Sequence, residues 1–296
     1  MKQALPKTYR LSWAGYDLEL GHRTGIMGVV NVTPDSFSDG GKFLAPESAV
    51  TQGRKLAADG ADILDIGGES TRPFSDPVPV EVEIERVIPV IEQLAAQISI
   101  PISIDTMKAE VARRAIKAGA SIINDISALR FDPDLGAVAA EFGTPVVLMH
   151  MLGSPKTMQL SPSYTDLMGE ISDFLGAAIA RAQKQGISKS NIIIDPGIGF
   201  GKTVSHNLLL IRQLHAFTAL DAPILVGPSR KAFIRKLLKD EHSDEIPPDT
   251  PIVETGTQAA VAAAVLCGAH IVRVHDVANT RATIRILDAM KAAEED

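Results

Sequence analysis

The sequence predicts a (β/α)8 TIM barrel with a short N-terminal β-hairpin. Short runs rich in Ile and Val alternate with longer amphipathic segments along nearly the whole chain of 296 residues. Eight strands alternating with helices over about 270 residues is the count and length of this barrel, whereas a doubly wound open sheet, the alternative, has fewer strands at this length. The runs that predict strands are 25–32, 61–68, 100–106, 121–127, 144–150, 191–196, 222–228 and 270–276.

The segments between these strands carry the apolar spacing and the end signals of helices. In 108–119, Val111, Ala115 and Ala118 fall on one face, and Gly119 supplies the helix end. The other predicted helices are 46–60, 81–97, 134–142, 165–186, 204–218, 256–267 and 277–293.

The chain is predicted to form a single domain over 1–296, because no stretch of linker-like composition divides it. The barrel occupies about 25–293 of this sequence. The segment 9–20 is interpreted as a β-hairpin with Gly15 at its turn, and we expect it to close the bottom of the barrel. The polar stretch 240–252 is expected to be a mobile loop.

The composition is that of a soluble globular protein, with 45% hydrophobic and 22% charged residues. The net charge of −7 argues against nucleic acid or a membrane surface as a partner, but it leaves room for a small anionic substrate. The single Cys267 excludes a disulfide framework and favours the reducing cytoplasm. The N-terminus lacks a signal-peptide pattern, and no segment approaches the roughly 18 unbroken apolar residues of a membrane span.

Polar residues gather at the carboxyl ends of the predicted strands, where a parallel barrel carries its active site. A helix N-cap is the alternative explanation for each residue taken alone, as for Asp105 before a helix. Caps are more often Ser, Thr or Asp beyond the strand than Asn, Arg or His within it, so the whole set favours a site. The residues are Asn31, Glu69, Asp105, Asn124, Asp125, His150, Asp195, Ser229, Arg230, Lys231, Arg273 and His275.

The last two strands indicate an anion site. Arg273 and His275 are two residues apart, so their side chains point to the same side of the strand. The forked N–H donors of an Arg guanidinium, beside a second hydrogen-bond donor, suit an anion. The segment "PSRKA" adds Arg230 and Lys231 at the start of a helix, whose backbone N–H groups also favour an anion. The sequence leaves open which of these cations face inward.

Asp105, Asn124 and Asp195 lie across the predicted barrel mouth from these cations. A carboxylate accepts two parallel N–H bonds from an amidine-like edge, and an Asn can donate and accept at neighbouring ring atoms. The residues therefore predict a site for a flat nitrogen heterocycle that carries an anionic, phosphorylated arm. His150 is more typical of a structural histidine than of a general base.

Eight segments in order resemble the dihydropteroate synthases, a family of pterin-binding enzymes, over about residues 25 to 290. Any one of these segments is moderately specific for the family, and the full set in this order is very specific for it. The segments are "GVVNVTPDSFSDGG" (28–41), "DIGGESTRP" (65–73), "SIDTMKAEVA" (103–112), "IINDIS" (122–127), "LMHM" (148–151), "IDPGIGFGKT" (194–203), "GPSRKAFI" (227–234) and "RVHDV" (273–277).

The resemblance implies a reaction in which p-aminobenzoate displaces diphosphate from 6-hydroxymethyl-7,8-dihydropterin diphosphate. It implies pterin contacts at Asp105, Asn124, Met149, Asp195, Gly227 and Lys231. It implies diphosphate contacts at Asn31, Arg273 and His275, with Asn31 also a ligand of Mg²⁺. It implies p-aminobenzoate contacts at Phe37, Thr71, Arg72, Pro73, Phe200 and Ser229. The catalytic residues it implies are Asp105, Asp195, Lys231, Arg273 and His275.

Two loops carry further expectations. Phe74 and Ser75 follow "STRP" where the family usually has Gly-Ala, and a bulky residue there is expected to stiffen the loop or reshape the p-aminobenzoate entrance. The stretch from Thr33 to Gly41 is long for a routine connection and is expected to act as a lid over bound ligand.

Two alternatives stay open from the sequence. One is a pterin-dependent methyltransferase of the same fold, which would have no diphosphate to hold. The other is a catalytically silent partner subunit, although all the matched polar residues are present. The long final helices allow a homodimer.

Overall fold

Eight parallel strands form the wall of a barrel in the computed structural model, which describes residues 7–33, 44–240 and 245–293. The strands are β3 Gly25–Asn31, β4 Ile63–Gly67, β5 Ile102–Asp105, β6 Ile122–Asp125, β7 Val146–Met149, β8 Ile192–Asp195, β9 Leu225–Val226 and β10 Ile271–Val274. They pair around the wall in the order β8, β7, β6, β5, β4, β3, β10 and β9, and a parallel bridge between Ile194 and Ile224 joins the first to the last. The predicted TIM barrel is confirmed.

Helices follow the strands and cover the outside of the barrel with an apolar layer. Gly119 ends its helix with φ 119°, a left-handed conformation that glycine adopts without strain, as the sequence predicts. The helices are α1 Leu44–Asp59, α2 Val80–Ala95, α3 Ala109–Ala118, α4 Leu135–Phe142, α5 Leu167–Lys184, α6 Val204–Arg212, α7 Ala232–Leu238, α8 Pro251–Leu266 and α9 Val277–Ala292, with 3₁₀ turns at Lys189–Asn191 and Leu214–Leu220.

Two of the predicted helices have a boundary that differs from the prediction by more than two residues. The segment 204–218 is not one helix, because α6 ends at Arg212 and the chain continues as a 3₁₀ helix. The helix predicted from 256 begins at Pro251, since proline is well suited to the first helical turn. Residues 251 and 252 therefore belong to α8 and not to the expected loop, of which 241–244 lie outside the described residues. That residues 1–296 form a single domain remains a prediction from the sequence.

The N-terminal hairpin closes the barrel floor, as expected. Strands β1 Tyr9–Trp13 and β2 Tyr16–Leu20 pair antiparallel. One buried cluster joins their apolar faces to the lowest layer of inward-facing barrel residues. Its members are Leu11, Trp13, Leu18 and Leu20 from the hairpin and Met27, Ile63, Ile122, Val147, Ile193, Leu225 and Ile271 from the strands. Within the described parts of the chain, no helix is both long and apolar enough to cross a membrane.

Leu11→Ala should lower the free energy of unfolding by about 2–5 kcal/mol, because it leaves a cavity between the hairpin and the barrel floor. Leu11 is 1% exposed. Glu19→Ala on the exposed side of the same hairpin is the matched control and should change stability by less than about 0.5 kcal/mol. Urea unfolding measures both values. Equal small effects of the two substitutions would contradict a packing role for the hairpin.

Candidate active site

A layer of polar side chains lies above the apolar floor, at the end of the barrel where the strands finish. Successive inward-facing residues of a strand are two positions apart, and β4, β6, β8 and β10 each change from an apolar floor residue to a polar residue within one such step. Asp65 follows Ile63 on β4, for example, and Arg273 follows Ile271 on β10. Asp105 on β5 is in register with Asn124 on β6. The layer comprises Asp65, Asp105, Asn124, Asp195 and Arg273.

Arg273 lies at the centre of this layer between two carboxylates. Its Nε donates to Asp65 Oδ2 at 2.6 Å, and one terminal nitrogen donates to Asp105 Oδ2 at 2.8 Å. The Asn124 amide donates to the same Asp65 oxygen at 3.0 Å. Sequence reasoning did not assign Asp65 to the site, although its two-residue spacing from Ile63 was a usable signal.

Burial shifts the pKa values of the two carboxyl groups at the mouth. It raises the pKa of Asp105 to about 7, although the Arg273 charge opposes the shift. It raises the pKa of Asp195 to about 6, opposed chiefly by the Gly197 N–H, which donates to Asp195 Oδ1 at 2.7 Å. Both groups are therefore poorly solvated and gain from a ligand that donates hydrogen bonds to them.

Lys231 and Phe200 form a second side of the site. The Lys231 ammonium lies 4.0 Å from the centre of the Phe200 ring, a cation–π contact. Burial, together with the charge of Arg273, lowers the pKa of Lys231 to about 8. Gly227 lies beside Arg273, since a Cβ added to it would be 3.7 Å from the Arg273 Cβ. The buried apolar wall next to Phe200 contains Ile126, Met149, Met151 and Met158.

His275 and Ser229 contact each other at the ends of β10 and β9. The Ser229 hydroxyl lies 2.9 Å from His275 Nδ1 and also accepts from the His275 backbone N–H at 3.3 Å. Burial, with Arg230 nearby, lowers the pKa of His275 to about 3, so the imidazole is neutral near pH 7. Arg230 has φ 59° and directs its Nε toward Glu254 at 3.7 Å. Of the two cations in "PSRKA", Lys231 therefore contacts the site wall and Arg230 turns to α8.

Three other strand-end residues have structural partners. The Asp125 carboxylate accepts the backbone N–H groups of Ser127 and Leu129, so it stabilises the turn that follows β6. Glu69 forms an ion pair with Lys108. Lys202 is 3% exposed and its Nζ lies 2.9 Å from His150 Nδ1, which supports the structural interpretation of this histidine.

The loop after β4 holds Thr71, Arg72 and Pro73 at the same end of the barrel. Hydrogen bonds from the Ser75 hydroxyl to the carbonyl oxygens of Ser70 and Arg72 fix its turn, at 2.6 and 2.8 Å. The Phe74 N–H donates to the Pro155 carbonyl at 3.1 Å in the loop after β7. Phe74 adopts φ 67°, which is unfavourable for residues other than glycine, and the residue is 61% exposed.

Asn31 ends β3 half-buried, in register with Gly67 of β4. Among the described residues, no three His, Cys, Asp or Glu side chains form a cluster that could hold a metal ion. Mg²⁺ commonly takes only one or two protein oxygens and completes its shell with phosphates and water, so the carboxamide oxygen of Asn31 fits an ion that arrives with a diphosphate. Phe37 and the expected lid at 34–41 lie outside the described residues.

This arrangement separates two kinds of binding group within one cavity mouth. Asp105, Asp195 and the Asn124 amide suit the N–H edge of a flat heterocycle. Arg273 and Lys231 suit an anion, and His275 adds a neutral partner on that side. The geometry is suited to a nitrogen heterocycle with an anionic arm, as the sequence predicts.

The chain matches the family model described as pterin binding enzyme over residues 27–275. It is 47% identical to the dihydropteroate synthase of Synechocystis sp. over 270 residues, which is 91% of each chain. It is 45% identical to that of Escherichia coli over 282 residues, covering 95% of this chain and 96% of the relative.

Solved structures agree with these matches. A dihydropteroate synthase of Xanthomonas albilineans with 4-aminobenzoic acid superimposes with a TM-score of 0.88 at 45% identity, covering 97% of this chain and 100% of that chain. The same enzyme in complex with 7,8-dihydropteroate gives a TM-score of 0.85 at 44% identity, covering 96% of this chain and 100% of the other.

The chain therefore belongs to the pterin binding enzyme family and, within it, to the dihydropteroate synthases. Enzymes of this class are transferases of folate biosynthesis. These matches do not favour the pterin-dependent methyltransferase alternative.

Asp195→Asn should stabilise the ligand-free protein above pH 6. An acid whose pKa is higher in the folded state than in the unfolded chain contributes stability that is complete below about pH 4 and is lost as pH rises through the folded pKa of about 6. Asn keeps the acceptor for the Gly197 N–H and removes the charge. Urea unfolding should show a gain that grows between pH 4 and 6 and levels off at roughly 2–3 kcal/mol.

Asp173→Asn on the exposed face of α5 is the control and should change stability by less than about 0.5 kcal/mol. An Asp195→Asn protein that is less stable than the wild type at every pH would show that nearby lysines fully compensate the buried charge.

Proposed function

We propose that this chain condenses 6-hydroxymethyl-7,8-dihydropterin diphosphate with p-aminobenzoate to give 7,8-dihydropteroate and diphosphate. The observation that carries the proposal is the polar layer in which Arg273 lies between Asp65 and Asp105, with Asn124 and Asp195 beside it. Membership of the dihydropteroate synthases supplies the reaction. The contacts among these side chains support the role proposed below for each of them.

The pterin ring is proposed to bind between the carboxylates and the Phe200 side of the mouth. Asp195 and Asp105 accept its N–H groups, and Asn124 donates or accepts at neighbouring ring atoms. Met149 belongs to the buried apolar wall, and Gly227 leaves space next to Arg273. Lys231 completes this set from the Phe200 side.

The diphosphate is proposed to bind at Arg273, with His275 and Asn31 nearby. Arg273 supplies a planar set of charged donors for the phosphate oxygens. His275 stays neutral near pH 7, so it takes part through hydrogen bonding rather than charge. Mg²⁺ held by Asn31 and the substrate itself would neutralise charge on the leaving group.

The amine substrate is proposed to bind along the loop after β4, with its ring near Phe200. Arg72 and Thr71 are suited to its carboxylate. Pro73 limits the loop conformation on this side. Phe37 and Ser229 belong to the same proposed region, although the Ser229 hydroxyl also contacts His275.

In the proposed reaction, the C–O bond to the pterin methylene breaks and its electron pair leaves with diphosphate. Asp105 and Asp195 stabilise the positive charge that develops on the pterin methylene. The aromatic amine then forms the C–N bond and releases one of its two N–H protons to water, so no strong general base is needed. None of the side chains assigned to the site acts as a covalent nucleophile in this scheme.

A homodimer in the cytoplasm is part of the proposal. The exposed side of α9 carries Ile286 and Met290 one turn apart, 65% and 60% exposed, which supports a covered face. The single Cys267 is compatible with a reducing compartment.

Supplying both substrates and Mg²⁺ should yield dihydropteroate and diphosphate in equal amounts. Arg273→Ala and Asp105→Ala should each lower kcat/KM at least about 100-fold, because each removes a charged contact to the substrate or leaves its partner unpaired. Chromatography of dihydropteroate and a coupled diphosphate assay measure the two products. Full activity in both variants would refute the site assignment.

Arg72→Ala should raise KM for p-aminobenzoate by about 10-fold or more, because it removes one charge-assisted hydrogen bond to the carboxylate. KM for the pterin substrate should stay within about 2-fold. Steady-state kinetics with each substrate varied in turn separate these values, and Arg114→Ala on the exposed side of α3 is the control. An increase in KM for the pterin substrate with an unchanged KM for p-aminobenzoate would assign Arg72 to the diphosphate instead.

A further inference from the structure

Asp65 is a buried carboxylate at the centre of the polar layer, with 0% exposure. One of its oxygens, Oδ2, accepts from Arg273 Nε at 2.6 Å and from Asn124 Nδ2 at 3.0 Å. Arg273 belongs to the proposed diphosphate end of the site and Asn124 to the proposed pterin end. A single oxygen atom therefore connects the two residues that hold opposite parts of one substrate.

The two carboxylates on Arg273 differ in their access to a ligand. Asp65 has no exposed surface, so a substrate cannot replace it. The Asp105 side chain keeps 10% of its surface exposed at the end of β5. Asp105 is also proposed to bind the pterin, which requires its oxygens. The contact between Arg273 and Asp105 is therefore the one that opens when the substrate binds, while the contact with Asp65 stays closed.

The shape of the guanidinium allows this exchange. Asp65 occupies the Nε–H, and the two terminal nitrogens retain four N–H donors, one of which points to Asp105. An arginine held at Nε can therefore transfer a terminal donor from a carboxylate to a phosphate oxygen without moving its stem. A lysine has one nitrogen and cannot hold Asp65 in this way while it binds an anion.

We propose that Asp65 is a positioning residue that fixes Arg273 and Asn124 while Arg273 exchanges its contact with Asp105 for an oxygen of the substrate diphosphate. The inference rests on the proposed function, which assigns the diphosphate to Arg273. It adds a residue that touches neither substrate and acts through two residues that do.

The negative charge of Asp65 gives the proposal a distinctive signature. The carboxylate lies directly on the cation that binds the anion, so its charge weakens diphosphate binding while its position supports the reaction. Removing only the charge should therefore strengthen the binding of free diphosphate and slow turnover. A substitution that merely loosened the fold would weaken diphosphate binding and also slow turnover.

Asp65→Asn is the test, with Ser103→Ala as the matched control. Ser103 is in register with Asp65 on the neighbouring strand, is buried, and its hydroxyl has no hydrogen-bond partner among the described residues. Asp65→Asn should bind inorganic diphosphate with Mg²⁺ about 3- to 10-fold more tightly in calorimetry and lower kcat at least about 30-fold. Ser103→Ala should leave both values within about 3-fold of the wild type.

Arg273→Lys provides a second test that does not depend on how well the Asp65 variant folds. It should keep the affinity for inorganic diphosphate within about 10-fold, because the charge remains, and lose at least about 30-fold in kcat. Thermal unfolding of each variant reports whether the fold is retained.

The inference is overturned if Asp65→Asn keeps the kcat of Ser103→Ala, if it binds diphosphate more weakly than the wild type, or if Arg273→Lys retains full kcat. The proposed function fails separately, when the wild-type protein releases no diphosphate from the two substrates.

Discussion

The alternation of side chains along a strand is the constraint on which this barrel depends. Every second residue points inward, so the enclosed space must be filled layer by layer. The lowest layer is apolar and is covered by the N-terminal hairpin. The next layer is polar, and its charges are partly paired: Arg273 lies between two carboxylates and Asn124 donates to one of them, while Asp65 Oδ1 has no hydrogen-bond partner among the described residues. A buried charge without such a partner would strongly destabilise the fold.

The same constraint explains how much the sequence reveals. The number of strands follows from the apolar runs that alternate with amphipathic segments, and the two-residue period places Arg273 and His275 on the same side of their strand, although it leaves open whether that side faces inward. The same period puts Asp65 on the same side of its strand as Ile63. Asp65 is, however, the one charged residue in the apolar run "ILDIG", which is typical of a wholly hydrophobic strand. A polar residue in a strand is therefore informative when the residue two positions earlier belongs to the barrel floor.

Side-chain direction in the loops does not follow from the sequence, because distant partners decide it. Arg230 and Lys231 are neighbours, yet Lys231 contacts Phe200 while Arg230 turns to Glu254 on α8. The left-handed backbone of Arg230 is held by a hydrogen bond from its N–H to the Thr257 hydroxyl, 27 residues away. The local pattern "PSRKA" contains no information about that contact.

Burial makes the empty site a poor environment for its own charges. It raises the pKa values of Asp105 and Asp195 and lowers that of Lys231, so both signs of charge are disfavoured relative to water. A ligand that donates to the carboxylates and offers an anion to the cations reverses both effects at once. A ring without the anionic arm reverses only the effect on the carboxylates. Asp65 joins Arg273 to Asn124. In the proposed binding mode, one connected set of side chains would therefore bind both halves of the ligand, and the ring and the leaving group would be recognised together.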